Sequence, residues 1–537
     1  MAEKRKREAA QDGDATAKSA SAAKKTKTPP APKAKPASSQ VFKLVDEDAP
    51  VTIQIVAGSY DRILHGVTAT IKKTYPAATE EQKEENKDDD EEKDKKKKKN
   101  SNKKKTKTAE AAAAPEPQLK AEFADTFLFN AHNSAIRCLA ISPPSAPAPK
   151  QTQKVLLATG STDERINIYN LSAHPPSARA ADDQKLLSSL APRPILENER
   201  NRELGTLLHH TSNITKLAFP NRSKLLSASE DSTVAVTRTR DWALLHSFKC
   251  PIPKVMGRPS GDTAGLGGAP SGVNDFAVHP SNKIMISVSK GEKCMRLWNL
   301  ETGKKSRVLN FERQMLIEAG ETKHSTGEAR AIVWGSSKGG DDEFAVGFDR
   351  DVVVFGMDCR PKCRVMGDIR TKIHQFRYVE LGNKEEETVL AVSTEDGRVL
   401  FFDTAEDSIK EPAEGKDLKT AKFVGQIGGK EAGLTGRVKD FTVLAMEDEQ
   451  GKRSWVVVTA GSDGVLRAWK LEAEDLASGN KEEGRKVGKL LGTYGTQNRI
   501  TCLEAFIMIP KPDGAEESEY EFDSEDDDDD SDGSDDE

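Results

Sequence analysis

Cysteine is scarce in this chain, six residues in 537, and too scattered to build a disulfide framework, which fits a reducing compartment. Nine histidines fall at no metal-ligand spacing. Cys359 and Cys363 flank Arg-Pro-Lys with no second ligand pair nearby, so two ordinary half-buried thiols are expected there rather than a metal site. No run approaches the roughly 18 apolar residues of a membrane span. Residues 1–7 (MAEKRKR) hold no apolar segment, so a secreted protein is not expected. Also missing are a Gly-x-Ser-x-Gly elbow, a His-Glu-x-x-His pair and the kinase motif set. The glycine-rich residues 257–272 lead into no Gly-Lys-Ser/Thr and open no βαβ unit, so they read as a linker and not as a phosphate cradle. These absences point away from an enzyme, and no cofactor or metal is expected.

What the chain has in abundance is charge, and it is segregated. The net charge is −6, yet residues 516–537 hold fifteen Asp or Glu and no Lys or Arg, leaving the rest of the chain net positive by nine. Residues 1–40 are Ala, Lys, Pro and Ser with almost no large apolar side chains, and are expected to form a disordered basic tail. Within them Lys4, Arg5, Lys6, Arg7 and Lys24, Lys25, Lys27 form clusters of the kind read by nuclear import receptors. A charged insertion at 72–122 runs from an acidic block into ten lysines between Lys93 and Lys107. Lys95, Lys96, Lys97, Lys98, Lys99, Lys103, Lys104 and Lys105 are its candidate nucleic-acid contacts. They would meet phosphates in a salt-dependent way, with no interleaved aromatics to stack on bases. Residues 511–537 are expected to be a disordered acidic tail.

Between the tails, residues 41–510 carry an internal repeat. Val457–Trp469 (VVTAGSDGVLRAW) reads as two strands joined by a tight acidic turn, with Leu466 and Ala468 giving the alternation of a half-buried strand. The same frame sets an acid six positions before a bulky or β-branched residue at Asp61, Asp163, Asp231, Glu292, Asp349, Asp396 and Asp463. Seven copies in register are the signature of a WD-repeat β-propeller, with insertions stretching the usual period of about 40 to 45 residues. The acids are expected to fix turns through local hydrogen bonds. His132 stands where such repeats place a histidine that bonds the turn.

Each unit after the first opens with a strand before its turn: 134–142, 212–219, 273–279, 329–334, 372–378 and 437–444. Two segments lack partners, the strand at 51–57, which nothing precedes, and the strand at 500–506, which no acidic turn follows. Paired with each other, they build one shared blade and close the ring. The expected fold is therefore all-β, a seven-bladed propeller closed by its first and last segments, with disordered charged tails and insertions and with loops at 174–200 and 257–272.

Five stretches carry a closer resemblance: residues 55–61 (IVAGSYD), 131–140 (AHNSAIRCLA), 203–210 (ELGTLLHH), 273–281 (VNDFAVHPS) and 295–300 (MRLWNL). Together they resemble the fungal maintenance-of-killer propeller proteins and their animal relatives, the PAK-kinase-interacting proteins. The resemblance is close over roughly 51–310 and rests on repeat pattern alone beyond it. It implies a non-catalytic scaffold of the nucleus and nucleolus, needed for large ribosomal subunit assembly, with assembly factors, ribosomal proteins and precursor rRNA as partners and no membrane. Two other readings stay open: an adaptor that restrains a PAK-type kinase, and an acidic-tailed chaperone of histones or ribosomal proteins.

Overall fold

The computed structural model describes residues 41–511, apart from 44–49, 75–117, 149–150, 177–194, 199, 253–270, 322–324, 338–339, 382–386, 413–416, 435, 449 and 477–484. Its strands make seven sheets, six of four antiparallel strands and one of five in which a short fifth strand is parallel. Each sheet is a blade, and in blades two to six the strands run in chain order from the central channel outwards. Blade two illustrates the plan, with Ile136–Ile141 innermost, then Lys154–Ser161, Ile166–Ser172 and Arg202–Leu207 at the rim. The inner strands of the next five blades begin at Ile214, Val273, Ala331, Ile373 and Val438.

Blade one is assembled from both ends of the chain. Ile500–Ile507 forms its inner strand and pairs antiparallel with Val51–Ser59 from Ile53↔Ile507 to Ser59↔Ile500. Ile63–Thr74 and Gln118–Asn130 complete it. The expected closure is therefore present, and the first and last segments hold the ring shut without leaving a free sheet edge at the seam.

The second strand of each blade is buried on both faces between its neighbours, which is why it reads as a continuous apolar run. Trp455–Gly461 is buried throughout. Between blades six and seven, Phe401, Phe441, Trp455 and Trp469 share one cluster; between seven and one, Ile53, Ile55, Val458, Ile500 and Leu503 share another. Close packing fixes Gly58 at the meeting of blades one and two, where a Cβ would lie 2.6 Å from Cys502 Sγ and 2.7 Å from Ile136 Cγ2.

Two boundaries differ from expectation. The strands flanking the charged insertion run into the interval 72–122, pairing as far as Thr74↔Gln118. Lys72–Thr74 are exposed, and Lys72 Nζ meets Glu122 Oε2 across the strands at 2.9 Å, while Leu119, Ala121 and Phe123 on the other strand keep apolar alternation and pack against the cluster between blades seven and one. The second difference is a short strand, Phe42–Lys43, lying parallel to the inner strand of blade seven at Met446 and Glu447 and making that sheet five-stranded.

Candidate interaction site at the channel mouth

The acidic turns and the starts of the inner strands lie on one face, because each inner strand pairs antiparallel with the strand that leads into its blade's turn, as in Val438↔Gly461. In five turns the residue after the acid is left-handed: Arg62, Glu164, Ser232, Gly397 and Gly464, with φ between 64° and 84°. Three of these are not glycine; the acid's own local bonds hold Glu164 and Ser232, through Arg165 N–H on Asp163 and Thr233 N–H on Asp231, whereas beside Arg62 the Ile63 N–H goes to Ser59 Oγ (3.0 Å). Asp163 accepts from Asn133 N (3.0 Å) and Arg165 N (3.1 Å), and Asp463 accepts from Val465 N (3.1 Å).

Two devices then orient the carboxylates. In blades two and three a buried histidine does so: His132 Nδ1 bonds Asp163 and its Nε2 bonds Thr159 Oγ1 (2.7 Å), while His210 Nδ1 bonds Asp231 and its Nε2 bonds Ser227 Oγ (2.8 Å). Burial opposes the Asp231 charge, but His210 and Thr233 bring its pKa down to about 2. Burial also keeps His132 below its ordinary value. Where no histidine is available, an arginine close behind the acid pairs with it instead, as Arg296 with Glu292, Arg398 with Asp396 and Arg467 with Asp463. Trp298 and Trp469 donate Nε1–H to Ser287 and Thr459, behind those turns. His132→Ala should cost about 1–3 kcal/mol by leaving the buried Thr159 hydroxyl only its long bond to Asn167 O (3.4 Å) and Asp163 without its imidazole partner, measurable as a lower denaturant midpoint.

Two of the seven acids depart from this plan. At Glu292 the left-handed residue is Gly291, before the acid, so the turn is shifted by one. In blade five Asp349 is half-exposed among Arg330, Arg350 and Lys372, and the buried carboxylate is Asp351, bonded by Arg370 Nη2 at 2.7 Å. Asp61 contacts Arg499 N across the blade-one seam.

The channel mouth itself is built by a feature the repeat frame does not contain. Six inner strands begin apolar-x-x-apolar, at Ile136/Leu139, Ile214/Leu217, Val273/Phe276, Ile373/Phe376, Val438/Phe441 and Ile500/Leu503, and in blade five the same pattern, Ala329/Ile332, starts two residues before the strand. Six have a register shift between these positions, a β-bulge that turns one residue out of the ladder. The second residue of each set is Arg137, Thr215, Asn274, Arg330, His374, Lys439 or Thr501, and all seven line a cavity of about 680 Å³. Basic residues occupy four of these positions and acidic residues none. Sequence reasoning overlooked this ring, although in four of the strands, at 215–216, 274–275, 374–375 and 439–440, two polar residues between apolar ones, where alternation allows one, signal the bulge.

Ring members have distinct tasks. Asn274 Nδ2 donates to Ala329 O (2.8 Å) and Thr501 Oγ1 to Ile136 O (2.6 Å), tying each blade to the next. Arg330 pairs with Asp349. Arg137 and Lys439 make no hydrogen bond or ion pair among the described residues, and His374 Nε2 is buried without a partner. Burial, then Lys439, with Arg437 and Lys372 adding to them, pushes the His374 pKa down to about 4. Lys439 is lowered by burial and by Arg437 and Arg499. Arg499 in turn lies over the Tyr60 ring at 5.5 Å.

One residue deeper the chemistry reverses. Asp275 accepts Ile332 N–H (3.0 Å) and Asp440 accepts Leu503 N–H (2.9 Å), each carboxylate capping the channel-facing edge of the next blade. Burial raises the Asp440 pKa to about 6 against the pull of Arg377. Arg377 of blade six reaches past blade seven to Glu504 of blade one at 2.7 Å.

Of the residues singled out from sequence, the seven acids and His132 gather on this face. Lys95, Lys96, Lys97, Lys98, Lys99, Lys103, Lys104 and Lys105 lie outside the described residues, as do Lys4, Arg5, Lys6, Arg7, Lys24, Lys25 and Lys27. Cys363 is fully buried and its thiol is pushed up to about 12 by desolvation, which disfavours the thiolate a metal would need. Among the described residues no three His, Cys, Asp or Glu converge on a metal position.

The family described as "WD domain, G-beta repeat" matches residues 201–236, from the outer strand of blade two into the third strand of blade three. Protein MAK11 of Saccharomyces cerevisiae is 27% identical over 401 residues, 71% of this chain and 74% of that protein. This chain carries WD repeats and is similar to MAK11 over most of its length. The same WD-repeat protein is 22% identical to a p21-activated protein kinase-interacting protein 1-like of Xenopus laevis, over 73% of this chain and 76% of that one. It is also 22% identical to Shk1 kinase-binding protein 15 of Schizosaccharomyces pombe, over 71% and 76% respectively.

Proposed function

We propose that this protein is a non-catalytic scaffold in assembly of the large ribosomal subunit, working in the nucleolus and binding assembly factors, ribosomal proteins and precursor rRNA. The observation that carries this reading is the match to MAK11 across 71% of the chain, because the maintenance-of-killer resemblance implies the assembly role. A propeller alone would not support it, since the fold hosts many unrelated functions. The lysine block suits a nucleic-acid-rich setting. The protein should co-sediment with large-subunit precursors in a gradient, and its depletion should lower free large subunits relative to small ones. Replacing Lys95–Lys99 and Lys103–Lys105 by glutamine should weaken RNA association, lowering the log-affinity against log-salt slope by about 0.7–0.9 per lost phosphate contact.

A second reading is favoured by the relatives named for kinase binding in Xenopus laevis and Schizosaccharomyces pombe. A kinase adaptor would sediment in light fractions with its kinase and leave the subunit ratio unchanged. That outcome would replace the assembly reading.

A further inference from the structure

We propose that the mouth of the central channel is a binding site for a carboxylate-rich peptide segment, held by Arg137 and Lys439 with Arg437 and Arg499 beside them. Arg137 and Lys439 are delivered to the mouth by bulges in blades two and seven, and blade one between them adds Arg499. Neither bulge side chain is engaged among the described residues, and Arg437 and Arg499 stand close enough to Lys439 to disfavour its charge. An arriving carboxylate relieves that repulsion and gains charge-assisted hydrogen bonds. The neutral His374, with its buried and unpartnered Nε2, supplies a further polar contact on the same wall.

The geometry favours an extended peptide over nucleic acid. A cavity of about 680 Å³ admits a few side chains and no duplex. Carboxylates interrupt the surrounding face at Asp61, Glu395 and Asp349, where Glu395 pairs with Arg437 at 3.0 Å, so no uninterrupted cationic track follows a phosphate backbone. Tyr60, exposed beside the mouth, already carries Arg499 on its ring and offers that face to no base. Further in, Asp440, Glu504 and Asp275 would repel a phosphate that entered, whereas a peptide can place its carboxylates on the ring and its backbone or a basic side chain below.

The proposal goes beyond the assembly reading and fails separately from it, since peptide binding is measured on the isolated protein and sedimentation in cells. The probe is a fluorescein-labelled peptide of about twelve alternating Asp and Glu residues, titrated into the full chain at low salt and compared with single-stranded RNA of about the same charge. Arg137→Gln and Lys439→Gln should each weaken peptide binding about tenfold, with unchanged melting temperature because neither side chain holds the fold. Lys304→Gln with Lys305→Gln, on the exposed outer strand of blade four, should leave it unchanged. Such a ligand has two sources, this chain's own residues 516–537 or a partner. A full-length variant with those carboxylates converted to amides separates them: tighter peptide binding identifies the chain's own segment as a competitor, and equal binding identifies a partner. Peptide affinity indifferent to both channel-mouth substitutions, or RNA bound more tightly through the same two side chains, overturns the proposal.

Discussion

A chain ending at Gly495 should fail to form a closed propeller, whereas a chain ending at Pro512 should melt within a few degrees of the full protein. The first truncation removes Ile500–Ile507 and with it Ile500, Leu503 and Met508, all buried. At roughly 1.5–3 kcal/mol for each such side chain the loss is about 5–9 kcal/mol, comparable with the 5–15 kcal/mol of net stability usual for a folded protein. It also strips Val51–Ser59 of its inner neighbour from Ile53 to Ser59 and leaves an apolar strand edge open to other chains. Thermal melts and sedimentation should therefore show aggregation for the shorter chain alone. Equal melting temperatures for the two would mean that the blade-one seam contributes nothing.

Asp440→Ala should be nearly as damaging from a single side chain, at about 3–5 kcal/mol. The Asp440 carboxylate accepts the N–H groups of Phe441 (2.9 Å) and Leu503 (2.9 Å), one in its own blade and one across the seam. Alanine leaves both buried donors unpaired. Asp440→Asn keeps one accepting oxygen and should cost less, about 1–3 kcal/mol. The folded-state pKa near 6 lies above the ordinary carboxylate value, so this group's contribution is complete below the unfolded pKa near 4. It is lost as pH rises toward 6. The Asn variant should lack that pH dependence between 4 and 6 in denaturant titrations. A flat difference between wild type and Asp440→Asn across that range would refute the assignment.

The ring was legible in the sequence because its determinants are local. An acid at a turn, alternation in the next strand and a bulky or β-branched residue six positions after the acid recur within seven residues, so Asp463 to Trp469 is a template for the other blades. The blade-one closure was legible because two orphan strands needed each other. What was missed depends on partners far away in the chain. Phe42–Lys43 is a strand only because Met446 and Glu447 lie beside it. In blade five the frame pointed to Asp349, while Asp351 sits in the interior against Arg370, a distinction only burial reveals. The bulge residues His374 and Lys439 could have been read from the broken alternation of the opening strands. Their convergence on one cavity required the ring to be closed first.

That closure also has a consequence in time. Val51–Ser59 leaves the ribosome early, but its partner strand ends at Ile507, so about 450 further residues must be made first. At roughly 5–20 residues per second this takes about 20–90 s, long compared with the microseconds in which a hairpin forms. Through that interval blade one lacks its inner strand, and the nascent chain carries an unsatisfied apolar edge before any blade can be sealed into a ring. The protein's yield in cells should therefore depend on translation speed and on chaperones that cover extended apolar segments more than its final stability would suggest.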